Sequence, residues 1–331
     1  MTDRADLLRC AAAGAAGFSL AGLLGPAAAL AGDGGGDFPA HPRWRFVFVS
    51  HDTLDPLFIA TQFGAQDAAA LVRCTVQWTG SPRNSADETA RGLRSAVAHK
   101  ADGIAVSLPD APLFGSALEA ARQAKIPVVA FGLGAGNGRV PFVGQDPVAS
   151  GERAGKELAR LARSGRVLLI APATTRTWQG ARLAGLQAVL GGRAEIVRVS
   201  GDLRKLEAQI EDALGSARGA VGLDRATAVA LGNVLKRSGR PLPAGGFDLL
   251  PNDLALVTGG QLAFVVDQQP YLQGFSPVMQ LFLARISEGT VTPSGVETSI
   301  LLRKADVQPF VATKSRFEGS SSRHEYPLRR A

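Results

Sequence analysis

The residues best equipped for chemistry stand where apolar runs of the sequence end. In residues 264–275, FVVDQQPYLQGF, a strand-like run closes on an acid and two glutamines before a proline and a helix-like stretch. A carboxylate accepts hydrogen bonds and an amide both donates and accepts them, so this cluster suits the binding of a polar molecule. No Ser/His/Asp or Cys/His set is apparent, and no Cys/His cluster has the spacing of metal ligands. We therefore expect binding chemistry, with no enzyme activity, metal site or cofactor.

Similar side chains occur at the ends of other predicted strands. His51 and Asp52 come directly after the run RFVFVS, Trp78 lies near the end of CTVQWTG, and Asp248 ends PLPAGGFD. Ligands of open parallel α/β sheets bind beyond the carboxyl ends of the strands, so these residues are candidates for a common cleft. Each side chain also has a purely structural alternative. His51 can be a solvated loop residue, Trp78 can belong to the core, and Asp248 can cap the following helix.

Strand-like and helix-like segments alternate along the chain, and the alternation occurs twice. In the first half the strands RFVFVS, CTVQWTG, GIAVSL and IPVVAFG are separated by helical segments. After residue 145 the order restarts, and ARGAVGLD–helix–RPLPAGGFD corresponds to ADGIAVSL–helix–KIPVVAFG of the first half. Such alternation indicates parallel, doubly wound sheets. The predicted fold is therefore α/β, with two doubly wound parallel-sheet lobes joined by a three-strand hinge near Gln145, after Asp267 and within residues 296–302.

The predicted boundaries place most of the chain in the two lobes. Residues 1–31 carry a charged start, an Ala/Leu/Gly run and the sequence ALA before Gly32, which is the layout of a cleaved signal peptide. The run is long enough to span a bilayer, but its glycines and Pro26 make it a weak helix. We therefore predict export to the periplasm or cell envelope, without stable membrane insertion after cleavage. The remaining segments are a linker at 32–43, a first lobe at 44–145 and 269–293, a second lobe at 146–268 and 294–312, and a disordered basic tail at 313–331.

The net charge of +7 does not indicate a nucleic-acid-binding protein. Residues 313–331 hold five basic and two acidic residues, or +3, and the rest of the charge is spread without a basic run. A hydrophobic content of 46% and a charged content of 20% are typical of a globular protein. Cys10 lies in the predicted signal peptide, so Cys74 is left as one thiol without an intramolecular disulfide. We expect a monomer that binds no nucleic acid.

The glycine-rich segment 132–138, GLGAGNG, does not have the pattern of a dinucleotide-binding loop. No window in it matches G-x-G-x-x-G. The segment that follows, RVPFVG, is strand-like and offers no helix N-terminus that could receive a phosphate. We interpret the segment as a flexible loop beside the cleft.

Several segments together resemble the sugar-binding proteins of ABC importers, in particular the ribose-binding-like, type I periplasmic binding proteins. They are DPLFIATQFGAQDAA, QWTGS, ADGIAVSL, IPVVAFG, VGQD, GFD and VDQQPYLQG, which occur in the expected order and spacing over residues 45–311. The resemblance implies two lobes that close on a pentose or hexose held between them. It also implies delivery of a small sugar or polyol to the transmembrane subunits of an ABC permease.

The resemblance also assigns ligand-binding residues. Asp55 and Phe58 of DPLF match sugar-contacting positions of the first lobe, and Arg182 of GARLAGL matches an arginine of the second lobe. Asp248 matches an acid of the second lobe, and Gln268 matches a glutamine at the hinge. With a further residue at the first crossing and the strand-end residues, the predicted ligand-binding set is His51, Asp52, Asp55, Phe58, Trp78, Gln145, Arg182, Asp248 and Gln268.

Two departures from the ribose-binding pattern argue against ribose itself as the ligand. Gly132 and Leu133 stand where ribose binders place an Asp-Arg pair, and the segment VSGD lacks the aromatic residue that they often carry there. Two polar groups and one stacking face are therefore missing. Replacements are expected from the strand-end residues His51, Asp52 and Trp78.

Alternatives stay open for individual residues and for the function. Asp55 before Pro56 can cap a helix, Arg182 can form an exposed ion pair, and Gln268 can satisfy backbone groups at the hinge. A sensory module that docks on a membrane receptor would have the same two lobes. A repressor would need an N-terminal helix-turn-helix where the signal-like run stands, and an enzyme would need a catalytic set.

Overall fold

The structure, a computed structural model, describes residues 38–134 and 136–313. The predicted signal peptide at 1–31, the linker up to residue 37 and the tail from residue 314 lie outside the described residues. The described end of the linker packs on the first lobe, because the rings of Phe38 and His41 lie 4.7 and 5.1 Å from that of Phe282. Across the described ranges, no helix combines the length and apolar character that a bilayer crossing requires.

The first lobe is built on a six-stranded parallel sheet with helices on both faces. Its strands are β1 (Arg45–Ser50), β2 (Thr75–Gly80), β3 (Gly103–Val106), β4 (Val128–Phe131), β5 (Phe142–Gly144) and β11 (Val296–Glu297), in the sheet order β11-β5-β4-β3-β1-β2. Helices α1 (Phe58–Leu71) and α9 (Pro270–Ile286) pack on one face. The other face is covered by α2 (Ala86–Ala98), a short 3-10 helix (Ala111–Phe114) and α3 (Gly115–Gln123).

The second lobe repeats this architecture. Its strands are β6 (Val167–Pro172), β7 (Ala194–Val199), β8 (Gly219–Gly222), β9 (Ala244–Phe247), β10 (Phe264–Asp267) and β12 (Ile300–Arg303), in the order β12-β10-β9-β8-β6-β7. Only the pairing of β10 with β12 is antiparallel among these strands. The helices are α4 (Pro147–Leu161), α5 (Thr177–Leu190), α6 (Leu203–Leu214), α7 (Arg225–Ser238), α8 (Pro251–Thr258) and α10 (Gln308–Thr313), with a 3-10 helix at Gly191–Arg193. Strands β8, β9 and β10 are buried along their whole length, as central strands covered on both faces must be.

Two helices of the second lobe begin at aspartates beside the cleft. Asp146 accepts a hydrogen bond from the backbone N–H of Ala149 at the start of α4, and Asp224 accepts one from Thr227 at the start of α7. Each carboxylate satisfies one of the N–H groups that a helix leaves free in its first turn. The caps thereby fix the loops that lead from the sheets into the cleft.

Three short segments connect the lobes, after β5, after β10 and between β11 and β12. Hydrogen bonds connect two of them. Oγ1 of Thr298 donates to the carbonyl oxygen of Gln268 at 2.6 Å, and Nε2 of Gln269 donates to the carbonyl oxygen of Thr298. Strand β11 pairs in parallel with β5, so the first lobe extends to Glu297 rather than to the predicted boundary at 293. Strand β11 has only two residues, which is too short for a hydrophobic pattern to predict it from the sequence.

Close helix packing beside the hinge holds two candidate residues in place. Helix α9, which follows the second crossing, lies so near to α1 that a Cβ on Gly64 would be 2.0 Å from a backbone oxygen of α9. Helix α4, which follows the first crossing, packs on α5 in the same way, and a Cβ on Gly151 would be 2.1 Å from the carbonyl oxygen of Arg182. Since α1 begins at Phe58 and α5 carries Arg182, each crossing leads into a helix that supports one wall of the cleft.

Candidate functional site

A cavity of about 690 Å³ lies between the lobes, beyond the carboxyl ends of the parallel strands. This is the position at which open α/β sheets bind their ligands. The structure brings seven of the predicted residues to its lining, while their contact with a ligand stays a prediction. They are His51, Asp55, Phe58, Gln145, Arg182, Asp248 and Gln268.

Arg182 is the buried cation of the cavity. Its guanidinium carbon lies 3.9 Å from the ring centroid of Phe247 and 4.9 Å from that of Trp178. Nη1 donates to the carbonyl oxygen of Leu223 at 2.7 Å, and Nη2 donates to Oε1 of Gln145 at the first crossing. Burial lowers the pKa of Arg182 to about 10, so the side chain stays protonated at neutral pH. The alternative of an exposed ion pair therefore does not apply to this arginine.

Asp248 and Gln268 form the acidic side of the site. Asp248 has a φ of +72°, a left-handed conformation that residues other than glycine adopt rarely. Its Oδ1 accepts a hydrogen bond from Nε2 of Gln268 at 2.7 Å, and Gln273 donates to Oε1 of Gln268 at 3.0 Å. Burial raises the pKa of Asp248, and the charge of Arg182 opposes that shift. Helix α8 has Leu250 as its N-cap residue, so Asp248 is not the helix cap that was the alternative.

One ion pair crosses the cleft. Nη1 of Arg225, the first residue of α7, donates to Oδ1 of Asp55 at 3.0 Å. The same oxygen accepts a hydrogen bond from the backbone N–H of Leu57 at 3.0 Å, so the carboxylate also stabilises the turn into α1. Asp55 therefore combines a place on the cavity with a role in the turn, but Leu57 is the N-cap residue of α1, so Asp55 is not the helix cap that was its alternative.

His51 lines the cavity as a neutral imidazole. Its Nδ1 lies 2.7 Å from Oγ of Ser107, and its ring meets that of Phe58 edge to face with centroids 5.3 Å apart. Burial lowers the pKa of His51 to about 4, although the charge of Asp55 opposes the shift. At neutral pH the ring therefore offers one donor and one acceptor in place of a positive charge.

Trp78 does not line the cavity, contrary to the prediction. Strand β2 continues beyond it to Gly80, so Trp78 is an interior strand residue that lies beside Phe48 in the sheet. Its indole is fully buried, with ring centroids 5.7 Å from Phe48 and 5.9 Å from Phe58. Trp78 therefore belongs to the core and packs against Phe58 on the side away from the cavity.

Asp52 also lies outside the cavity lining. Its Oδ1 accepts a hydrogen bond from the backbone N–H of Leu54 at 3.0 Å, and its carbonyl oxygen accepts one from Oγ of Ser50 at 3.1 Å. Both bonds are local to the turn between β1 and α1. Asp52 therefore shapes the turn that brings Asp55 to the cleft.

The cavity also contains residues that the predicted set does not include. Trp178 lies one helical turn before Arg182 on α5, and both line the cavity. Gln179 donates to Oδ2 of Asp224 at 2.8 Å, which joins the starts of α5 and α7. The spacing of Trp178 and Arg182 was a usable signal, because residues at i and i+4 share one helix face. Arg225 had no comparable signal, since its partner lies in the other lobe.

The arrangement suits the binding of a ligand rich in hydrogen-bonding groups. Nε2 of Gln145 and Nε of Arg182 are buried donors without a hydrogen-bond partner among the described residues. Both atoms have almost no accessible surface, so the groups that can meet a ligand are other polar lining residues such as Arg225, Asp248 and Gln268, which match hydroxyl groups as donors and acceptors. Within the ranges that the structure describes, no cluster of three or more His, Cys, Asp or Glu side chains could hold a metal ion.

Two hinged α/β lobes around a polar cavity define a bilobal ligand-binding protein. The family described as periplasmic binding protein domain matches residues 46–286. The chain is 33% identical over 321 residues to the xylose/arabinose-binding protein XylF of Sulfolobus acidocaldarius, with 88% of this chain and 78% of that protein covered. The chain therefore belongs to the periplasmic binding protein family.

Solved structures share this fold. A carbohydrate transporter from Acidothermus cellulolyticus in complex with myo-inositol is 27% identical, with a TM-score of 0.69 over 82% of this chain and 98% of that one. An ABC transporter solute-binding protein from Burkholderia graminis in complex with D-arabinose is 18% identical, with a TM-score of 0.71 over 82% of this chain and 99% of that one. At the lower identity the likeness concerns the fold alone.

Proposed function

We propose that this protein captures a small sugar or polyol between its lobes and delivers it, chemically unchanged, to an ABC import permease. The observation that carries the proposal is the convergence of Arg182, Asp248 and Gln268 on one cavity between the lobes. Sugar hydroxyls donate and accept, so they match a guanidinium that donates and a carboxylate that accepts. A ligand without the matching hydroxyls would leave the remaining hydrogen-bonding sites of these groups unfilled, at a cost of about 1–3 kcal/mol for each buried site.

Aromatic residues from both sides supply the second element of sugar recognition. Phe58 of the first lobe and Trp178 of the second both line the cavity. An aromatic face covers the C–H side of a sugar ring and typically adds about 1 kcal/mol beyond area burial. Trp178 therefore takes the role that the sequence analysis assigned to Trp78.

The known relatives support transport and suggest ligands to test. The curated relative is named as a xylose/arabinose-binding protein, and a solved relative holds myo-inositol. These names favour transport over the sensory module that was the alternative. The signal-like residues 1–31 support export to the periplasm or cell envelope, where closure of the lobes would present one continuous surface to a permease.

Thermal melting of the purified protein against D-xylose, L-arabinose, myo-inositol and other pentoses, hexoses and polyols tests the proposal. A ligand at 100 times its Kd should stabilise the folded state by about 2.7 kcal/mol, which is a measurable rise in Tm. Asp248→Asn should abolish that rise, because the amide no longer offers two equivalent acceptor oxygens. The exposed Asp212→Asn is the matched control and should retain the rise. Absence of any stabilising sugar or polyol, or conversion of a bound sugar to a product, would contradict the proposal.

A further inference from the structure

The two walls of the cavity differ in chemistry. The second lobe contributes mainly charged and amide side chains, which we call the polar wall: Arg176, Gln179, Arg182, Asp224, Arg225 and Asp248. The first lobe contributes a contiguous set that we call the apolar wall: Phe58, Leu108, Pro109, Pro112, Leu133 and Phe142. A ligand that fills the cavity meets both walls at once.

The apolar wall is held by the backbone of two neighbouring strand-end loops. The N–H of Leu108, after β3, donates to the carbonyl oxygen of Leu133, after β4, at 2.9 Å. Asn137 keeps the second loop in shape, since its Nδ2 donates to the carbonyl oxygens of Gly134 at 2.7 Å and Val140 at 3.0 Å. Hydrogen bonds therefore support the wall from both loops, and the flexibility expected from the glycine-rich sequence stays a prediction.

Two glycines leave room for the aromatic edges of this wall. A Cβ on Gly144 would lie 2.4 Å from Cζ of Phe142, so the absence of a side chain allows that ring to turn back over β5. Gly132 has a φ of +67°, and a Cβ there would lie 3.5 Å from Cε1 of Phe58. The surface beside Phe58 is therefore flat and carries no polar side chain at Gly132.

Polar side chains of the first lobe lie beside this wall and are not part of it. Asp55 is bonded through Oδ1 to Arg225 and to its own turn, and the neutral His51 is bonded through Nδ1 to Ser107. Asn84 also lines the cavity. Asp110 is exposed at the rim of the cavity. A ligand hydroxyl placed against the apolar wall would lose water without gaining a comparable partner, which is unfavourable.

The charged and amide side chains of the lining lie at the opposite side of the cavity. Arg225 and Asp248 belong to the polar wall, and Gln268 lies at the second crossing. Hydroxyl groups of a ligand are therefore drawn toward the polar wall and the hinge. The volume of about 690 Å³ lies in the upper part of the roughly 300–1,000 Å³ typical of pockets that enclose drug-sized ligands, so it admits more than one sugar ring.

We propose that the ligand is a sugar or cyclitol bearing an apolar substituent, such as an O-methyl, alkyl or aryl group. Its hydroxyls face the polar wall and the hinge, and its substituent covers the partly exposed Leu133 and Phe142. The inference rests on the proposed function and narrows its substrate class. An unsubstituted pentose leaves the exposed part of the apolar wall in contact with water.

Matched pairs of ligands test this inference by isothermal calorimetry on the full chain. The pairs are D-xylose with phenyl β-D-xylopyranoside, L-arabinose with phenyl α-L-arabinopyranoside, and myo-inositol with a mono-O-methyl myo-inositol. Burial of one methyl group corresponds to about a fourfold lower Kd, and burial of a phenyl group to a Kd lower by tenfold or more. We expect a decrease of this size for at least one pair.

The outcomes separate this inference from the proposed function. Equal or tighter binding of the unsubstituted member in every pair would overturn the inference and leave the proposed function intact. Binding of no member of any pair, together with no stabilisation by the wider sugar and polyol panel, would overturn both.

A pair of leucine variants locates the effect on the apolar wall. Leu133→Asn places an amide on the wall, so the preference for the substituted member should fall by about tenfold for a phenyl glycoside. Leu113→Asn, in the neighbouring 3-10 helix, changes an exposed leucine outside the cavity lining and should keep the preference. An unchanged preference in Leu133→Asn would contradict the assignment, provided that its unliganded melt shows a folded protein.

Discussion

The two lobes share one topology but meet the cleft with different side chains. In the first lobe, Phe48, Phe58, Trp78 and Phe131 form an aromatic cluster with ring centroids 5.3–6.1 Å apart. In the second lobe the corresponding place is taken by Arg182, which lies over Phe247 and is bonded to the protein itself.

This difference separates two tasks that the fold must perform. The aromatic cluster supplies apolar area and rigidity, whereas the buried arginine and aspartate supply direction, because hydrogen bonds to charged groups require defined geometry. The groups of the second lobe are held in place before any ligand arrives, which reduces the entropy lost on binding. Recognition therefore depends on side chains at the strand ends and on the helices that border the cleft, while the sheets position them.

A tryptophan from each lobe gives the sharpest test of this separation. Trp78→Ala removes a fully buried ring, so the free energy of unfolding should fall by about 3–5 kcal/mol while ligand affinity is kept below the melting transition. Trp178→Ala removes a half-buried ring on the cavity and should lower affinity tenfold or more with a much smaller loss of stability. Urea denaturation and calorimetry measure the two quantities.

The reverse pattern would break the comparison. If Trp78→Ala weakened binding more than Trp178→Ala, the buried part of the aromatic cluster would contribute to binding through Phe58, which lines the cavity. The first lobe would then contribute more to ligand affinity than the second.

Substitution of Arg182 tests whether the second lobe acts through directed hydrogen bonds. Arg182→Ala leaves the carbonyl oxygen of Leu223 and the amide of Gln145 without their donor, so we expect a loss of about 2–4 kcal/mol in unfolding free energy. Ligand binding should be lost as well. Exposed Arg198→Ala in the same lobe is the control and should change stability by less than about 0.5 kcal/mol.

Binding and stability should respond differently to a partial replacement. Arg182→Lys retains the charge but cannot donate to two acceptors in the same fixed geometry. Full recovery of affinity by lysine would show that charge alone, without direction, is what the ligand requires of the second lobe.

Most of the fold could be predicted from the sequence, because the alternation of strands and helices is a local signal repeated in both halves. The cavity residues could be predicted where they directly follow an apolar strand segment, as His51 and Asp248 do. Trp78 was misplaced because an apolar run does not reveal whether a strand continues for two further residues. The pairing of Asp55 with Arg225 was not predictable, since it joins residues 170 positions apart that meet only in the tertiary structure.

The pH dependence of stability tests the burial of His51 in the first lobe. Burial lowers the pKa of His51 from 6.5 to about 4, so the unfolded chain binds more protons than the folded one between these values. Stability should therefore fall as the pH drops from 6.5 to 4, by about 2 kcal/mol from this residue. His51→Gln should flatten that part of the profile, whereas the exposed His99→Gln should not. An unchanged profile in His51→Gln would mean that the imidazole is accessible to water.

The smallest expected effect concerns the ion pair between Asp55 and Arg225, which joins the lobes at the cavity. Asp55 and Arg225 are partly exposed, so a double-mutant cycle should give a coupling below about 1 kcal/mol that decreases at high salt. The pair between Arg166 and Glu195 has the same contact distance within 0.1 Å but lies inside the second lobe. Both pairs should therefore contribute similarly to stability. Arg225→Gln should increase the radius of gyration of the unliganded protein in X-ray scattering and Arg166→Gln should not. The pair with Asp55 joins the lobes, as does the pair between Arg153 and Glu297, whereas the pair between Arg166 and Glu195 does not. An equal change in Arg166→Gln, or none in Arg225→Gln, would show that other contacts at the hinge keep the lobes together.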